Sequence, residues 1–166
     1  ETLTLREMLL GLMLASGNDA AVAIAEHLAG AEEAFVKLMN ARADELGLQN
    51  THYVNCTGLP APDHYTTARD VAKLSAQLDL HPLYYRYSTI WMDEIRHRGG
   101  RVTALTNTNR LVRFYPGCDG YKTGSTNEAR YCISATAKKD GMRLIAVVLG
   151  TPAGQTRFDE ARAMLE

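Results

Sequence analysis

Gly117-Cys118-Asp119-Gly120-Tyr121-Lys122-Thr123-Gly124-Ser125-Thr126 is the stretch on which the reading of this chain turns. A lysine, a hydroxyl and a glycine in succession suit an edge strand that receives a substrate backbone. The lysine brings positive charge, the hydroxyl binds a carboxylate, and the glycine lets another chain come close. Alone, such a tripeptide recurs by chance. It gains weight from Ser16-Gly17-Asn18, which lies between two helical patterns near the start. A plain helix cap would account for Ser16 and Asn18 by themselves, since both residue types favour helix N-termini. Their pairing with Lys122-Thr123-Gly124 turns the reading toward a site.

Between these two motifs the chain changes character. Thr4-Leu5-Arg6-Glu7 has the form of a capping box and predicts a helix to about Leu14. After the break at Ala15-Ser16-Gly17-Asn18, Asn18 or Asp19 is expected to cap a very apolar helix, Ala20 to Leu28, which should be buried. A third helix is predicted from Glu32 to Leu46, with Phe35, Leu38, Met39, Arg42 and Leu46 on one side and Gly47 as its stop. A loop-rich stretch follows, then a helix capped at Thr67 and ended by His81-Pro82. Tyr84 to Arg96 is aromatic and β-branched, and Arg101 to Thr106 is expected to pair with it. Tyr131–Lys138 and Arg143–Leu149, joined by Asp140-Gly141, form a strong hairpin signal, and Gln155 to Leu165 reads as a closing helix. Helices first and antiparallel strands later predict an α+β fold, with a mainly helical lobe over 1–83 and strands plus the closing helix over 84–166.

With 166 residues, 46% of them apolar and 22% charged, the chain suits one domain with a substantial core. A formal charge of −1 argues against a nucleic-acid partner, which calls for a basic face. No apolar run approaches the roughly 18 residues of a membrane span. The cysteines, Cys56, Cys118 and Cys132, lack Cys-x-x-Cys spacing and are odd in number, so one at least is free or pairs between chains. They read best as buried thiols, with Cys118 the one that could be accessible. The histidines form no metal-ligand spacing, so neither a metal nor a cofactor is called for. His64 is the histidine to watch, with a loop role as its plainer reading. Gly-x-Ser-x-Gly is absent, and Tyr121 breaks any phosphate-binding loop before Lys122.

Ser16-x-Asn18 and Lys122-Thr123-Gly124 are two of the three motifs of active-site-serine enzymes that react with β-lactams. More widely, Leu3 to Glu166 resembles the D-alanyl-D-alanine carboxypeptidases, the low-molecular-mass penicillin-binding proteins. The likeness runs through Leu14-Ala15-Ser16-Gly17-Asn18-Asp19-Ala20, Asn55-Cys56-Thr57-Gly58-Leu59 and His64-Tyr65-Thr66-Thr67-Ala68-Arg69-Asp70. It continues through Asn107-Thr108-Asn109-Arg110-Leu111, Asp119-Gly120-Tyr121-Lys122-Thr123-Gly124 and Ala146-Val147-Val148-Leu149-Gly150.

The resemblance implies a β-lactamase/transpeptidase-like fold, a helical cluster beside an antiparallel sheet flanked by helices. It implies removal of the terminal D-alanine from peptidoglycan stem peptides ending in D-Ala-D-Ala, with β-lactams as inhibitors. It also implies action outside the bacterial cytoplasm, by a parent that some members of the family anchor in the membrane. On that likeness Ser16, Asn18 and Lys122 are the catalytic candidates: a proton relay, a substrate-backbone contact and a source of positive field. Thr123 and Arg157 would hold the substrate carboxylate, beside Gly124 and the oxyanion-binding backbone N–H of Ser125.

Departures accompany the likeness. No serine is followed three residues later by lysine, and the chain opens at Glu1 on a helix start. The expectation is a piece of a longer protein whose nucleophile lies upstream, inactive alone and exposing apolar surface. Arg130 stands where the family usually has glycine. A β-lactamase is the first competing reading, but no Glu-x-x-Leu-Asn run occurs. A pseudoenzyme that keeps the cleft without the nucleophile is the second.

Overall fold

The computed structural model describes residues 2–166. Helices α1 (Leu5–Ala15), α2 (Asn18–Ala29) and α3 (Glu32–Glu45) come first, then α4 (Ala68–Leu78), a 3-10 turn over Pro82–Tyr84 and the short α5 (Tyr85–Ser88). Strands β1 (Met92–Arg96) and β2 (Val102–Thr106) follow, then α6 (Leu111–Phe114). The chain closes with β3 (Cys118–Thr126), β4 (Arg130–Lys139), β5 (Met142–Thr151) and α7 (Gly154–Leu165). The α+β expectation holds.

Local chemistry sets most of these boundaries. The Thr4 hydroxyl accepts from the Glu7 N–H, and Glu7 answers at the Thr4 N–H, so the predicted capping box forms. Thr67 likewise caps α4 through the Asp70 N–H. Asp70 is itself buried and accepts from Asn50 N–H at 2.8 Å and the Thr51 hydroxyl at 3.0 Å, fastening the long loop to α4.

Two cores carry the packing. Leu10 and Leu14 of α1 meet Ile95 and Leu105 of the β1–β2 hairpin. Behind the sheet, Ile133, Ala135, Ala137, Ala146 and Val148 pack on Phe158, Ala161 and Leu165 of α7. The order β3-β4-β5 is antiparallel, with Ile133 opposite Val148 and Ala135 opposite Ala146. Alternation along β4 therefore turns Ser134 and Thr136 to the other face, where α4 lies against β4 and β5 and Ser75 Oγ meets Ser134 Oγ at 2.8 Å.

Several expectations are corrected. The α2 helix is not buried: only Ala21 and Ala25 are, and Leu28 is 65% exposed. Its apolar residues are mostly alanines, too small to anchor an all-round core helix. Neither Asn18 nor Asp19 caps α2; Gly17 holds the N-cap position without a side-chain bond. Val36 and Ala43 form the buried stripe of α3 while Leu38 is exposed. Tyr84–Ser88 is helical, because Pro82 starts a turn there and Tyr84, Tyr85 and Tyr121 pack ring against ring.

Candidate active site

Ser16 owes its place to how α1 ends. It adopts left-handed backbone (φ 57°, ψ 43°), and the turn is closed by Gly17 N–H donating to Gly11 O at 3.0 Å. A Cβ on Gly17 would stand 3.3 Å from Gly11 O and 3.1 Å from Asp19 Oδ1. A side chain at Gly17 would be crowded there, and α2 restarts at once with the exposed Asn18.

Lys122 arrives from the opposite side on β3, the edge strand that the sequence predicts. Its Nζ donates a short hydrogen bond to Ser16 Oγ and another, at 2.8 Å, to the Thr123 carbonyl. The lysine is largely buried. Burial first, and the charge of Arg157 second, lower its ammonium from the ordinary 10.5 to about 8. A cation at the edge of neutrality therefore touches a hydroxyl at the mouth of a helix break.

Thr123 is buried and its hydroxyl donates to Thr108 Oγ1 at 2.7 Å. Gly124 and Ser125 are exposed and face Cys132 and Tyr131 across the ladder. Arg157, in the first turn of α7, donates from Nη1 to Gly124 O at 3.0 Å and Cys132 O at 3.3 Å. Its guanidinium lies 4.8 Å from the Phe158 ring centre and 5.5 Å from that of Tyr131, and its buried Nε has no partner. An open cavity of about 850 Å³ adjoins Arg157 and Thr108 and is walled by Trp91, Phe114 and Phe158.

Ser16, Lys122 and Thr123 are thus brought together, with Gly124, Ser125 and Arg157 alongside and Asn18 two residues beyond Ser16. Thr108 escaped the reading as a site residue. Its signal was the Asn-x-Asn spacing around it, since asparagines flanking one residue mark local side-chain turns. Other candidates fall away. Cys118 is buried, not accessible; burial pushes its thiol up to about 11. His64 accepts from Val54 N–H at 3.3 Å and stacks edge-on with Tyr53, a loop role. Among the described residues no cluster could hold a metal ion, and no helix is long and apolar enough to cross a membrane.

A hydroxyl on a helix break thus faces a lysine on an edge strand, the pairing that the Ser-x-Asn and Lys-Thr-Gly motifs called for. The model of the D-alanyl-D-alanine carboxypeptidase family matches residues 1–153, and the chain belongs to that family. It is 46% identical over its whole length to the D-alanyl-D-alanine carboxypeptidase DacF of Bacillus subtilis, covering 43% of that protein. To DacC of Escherichia coli it is 40% identical over 93% of the chain, covering 38% of that protein. A mutant of the Streptomyces K15 DD-transpeptidase superposes at TM-score 0.91 and 31% identity, over 98% of this chain and 66% of that one. Penicillin-binding protein D2 of Listeria monocytogenes, in its ampicillin-bound form, superposes at 0.85 and 32% identity, over 97% and 65%. The chain therefore spans about two fifths of these curated relatives' length.

Proposed function

We propose that the protein carrying this chain is a serine-type D-Ala-D-Ala carboxypeptidase, and that this chain supplies the leaving-group and carboxylate side of its cleft. The observation that carries the reading is the hydrogen bond from Lys122 Nζ to Ser16 Oγ. It couples a polarised hydroxyl to a largely buried cation at one point, and a peptide ending in a carboxylate needs both.

In this reading a serine outside the given residues, with its own lysine as base, attacks the carbonyl of the penultimate D-alanine. The C–N bond breaks, and the departing amine takes its proton through Ser16 Oγ. Asn18 hydrogen-bonds the substrate backbone, while the Ser125 N–H is one donor to the oxyanion, a role worth about 3 kcal/mol. Thr123 receives the terminal carboxylate under the positive field of Lys122 and Arg157. The Thr123 O–H, which donates to Thr108 Oγ1 at 2.7 Å in the free chain, turns to the carboxylate when the peptide binds. Gly124 leaves the edge of β3 open to the incoming peptide. Water then hydrolyses the acyl-enzyme. The substrate is the stem peptide of peptidoglycan, β-lactams are the inhibitors, and the work is done outside the cytoplasm by a parent that a further segment could anchor to a membrane.

The test is exposure of the full-length protein to a labelled penicillin. A mass increase of one acyl group on a serine preceding Glu1 is expected. An unchanged mass, with no Ser-x-x-Lys in the coding region before Glu1, would leave the scaffold reading in its place. Rapid turnover of a chromogenic cephalosporin would instead favour a β-lactamase.

A further inference from the structure

Asn107-Thr108-Asn109 runs between the two halves of the groove, and none of its side chains is assigned to the reaction itself. Both asparagines are buried, Asn109 completely. Asn109 Nδ2 donates to Gly120 O at 3.1 Å, two residues ahead of Lys122 on β3. Its Oδ1 accepts from Leu111 N–H at 3.1 Å, and its own N–H donates to Asn107 Oδ1 at 2.9 Å. Asn107 Nδ2 reaches Ser88 O at 3.1 Å and Ile90 O at 3.0 Å, tying the loop to the end of α5. Between them, Thr108 N–H donates to Leu14 O at 3.0 Å, two residues before Ser16. One three-residue loop thus bonds both to the last turn of α1 and to β3 at Gly120, two residues ahead of Lys122.

We propose that Asn109, supported by Asn107, is a positioning residue that holds β3 at the distance from α1 at which Lys122 meets Ser16. The inference rests on the function proposed above. The side chain suits the task because a buried amide offers a donor and an acceptor at once. Aspartate would aim an oxygen at Gly120 O, and leucine would leave that carbonyl and the Leu111 N–H unpaired. The cost of a slack strut is catalytic, since a shift of about 1 Å in a reacting group lowers rates about 100-fold.

The decisive variant is Asn109→Ser in the full-length protein. A serine hydroxyl can still accept the Leu111 N–H, because hydroxyls make the same local turn, but it is too short to reach Gly120 O. The acylation rate constant with labelled penicillin is expected to fall about 10- to 100-fold, while the constant for prior non-covalent binding moves less than about threefold. The titration of Lys122, followed by NMR of its ε-methylene, is expected to move up from about 8 toward 10.5 as the side chain leaves Ser16 for water. The charge acting on that ammonium is Arg157 of α7, which the variant leaves in place. As a control, Leu165→Ala opens a void in the core behind the sheet, at the far end of α7 from Arg157. It should lower the melting temperature without changing either readout.

Acylation within about twofold of the parent and an unchanged Lys122 titration would overturn the strut, as would an equal loss in Leu165→Ala. Should Asn109→Ser fail to fold, Asn107→Ser carries the same expectations. A parent that penicillin does not acylate sinks the proposed function instead, and the Lys122 titration then decides the strut alone.

Discussion

Arg130 and Ser16 both hold left-handed backbone without being glycine, with φ of 56° and 57°. For an L-residue that conformation costs about 1–2 kcal/mol, partly offset for glycine by its greater freedom when unfolded. Arg130 sits exposed at the start of β4, where its left-handed backbone carries that cost. Arg130→Gly is expected to raise stability by about 0.5 kcal/mol, read as a later urea midpoint; an earlier one would refute the strain. At Ser16 the same conformation is held by the turn that ends α1, closed by Gly17 N–H on Gly11 O. Lys122 gives a pH signature. Its value of about 8 lies below the ordinary 10.5, so the unfolded chain binds more protons between those values and stability rises with pH across that window. Below about 8 the burial penalty is complete. Cys118, raised from 9.0 to about 11 by burial, acts oppositely, losing stability as pH climbs above 9. Subtracting a Lys122→Met curve isolates the lysine: the wild type should gain on the variant from pH 8 to 10.5. A flat difference in urea midpoints would refute it. In the full-length protein, acylation should likewise fall as pH rises through about 8, where the free enzyme loses the cation, and a profile level to pH 10 would count against that role.

At the scale of elements, β3 is held near its start by two neighbouring contacts. Asn109 bonds Gly120, while Arg143 of β5 grips Asp119 beside it with paired bonds of 2.7 and 2.9 Å. The same guanidinium lies 3.0 Å from Asp79 just past α4 and stacks 4.7 Å from the Tyr85 ring centre. Hydrogen bonds to Asp119 hold the Arg143 cation well above its ordinary range. These carboxylates are a quarter to a third exposed, so removing the cation strands them only in part. Arg143→Leu is expected to cost about 2 kcal/mol, below the 3–5 of a fully buried pair, as measured by urea unfolding. A loss under 0.5 kcal/mol would show the cluster to be well hydrated. The capping box at Thr4, the Asp140-Gly141 hairpin and the α7 helix were legible in the sequence, since each depends on neighbours within a few residues, whereas the edge position of β3 was read from the Lys-Thr-Gly motif. The burial of α2 was misread, because an alanine-rich pattern does not say which face finds a partner. Arg143, Thr108 and Asn109 went unread for a related reason: their partners lie 24, 15 and 11 residues away.

For the whole molecule, the surface is larger than its mass requires. The accessible area is 9991 Å², where a folded monomer of 18.3 kDa exposes about 8,100 Å². Among the described residues nothing pairs with the outer edge of β5, and Met142 there is 63% exposed, as are Phe114 at 61% and Leu28 at 65%. A long bare strand edge is a template for association, and apolar side chains exposed elsewhere add to it. The isolated chain is therefore expected to associate with rising concentration in sedimentation velocity, and a compact monomer at about 100 μM would contradict this; that range spans many weak self-associations.

By itself the sequence determined the α+β order, the caps at Thr4 and Thr67, the Asp140-Gly141 turn and the two short motifs, because each is written in contacts between near neighbours. Only the tertiary structure decided that Ser16 and Lys122 touch, that burial brings this lysine to the edge of neutrality, and that one loop, Asn107-Thr108-Asn109, bonds both to α1 and to β3. The physical reason is that hydrogen bonds and desolvation depend on separation in space. For residues 106 apart in the chain, that separation is set by how α1, β3 and the loop at Asn109 pack together.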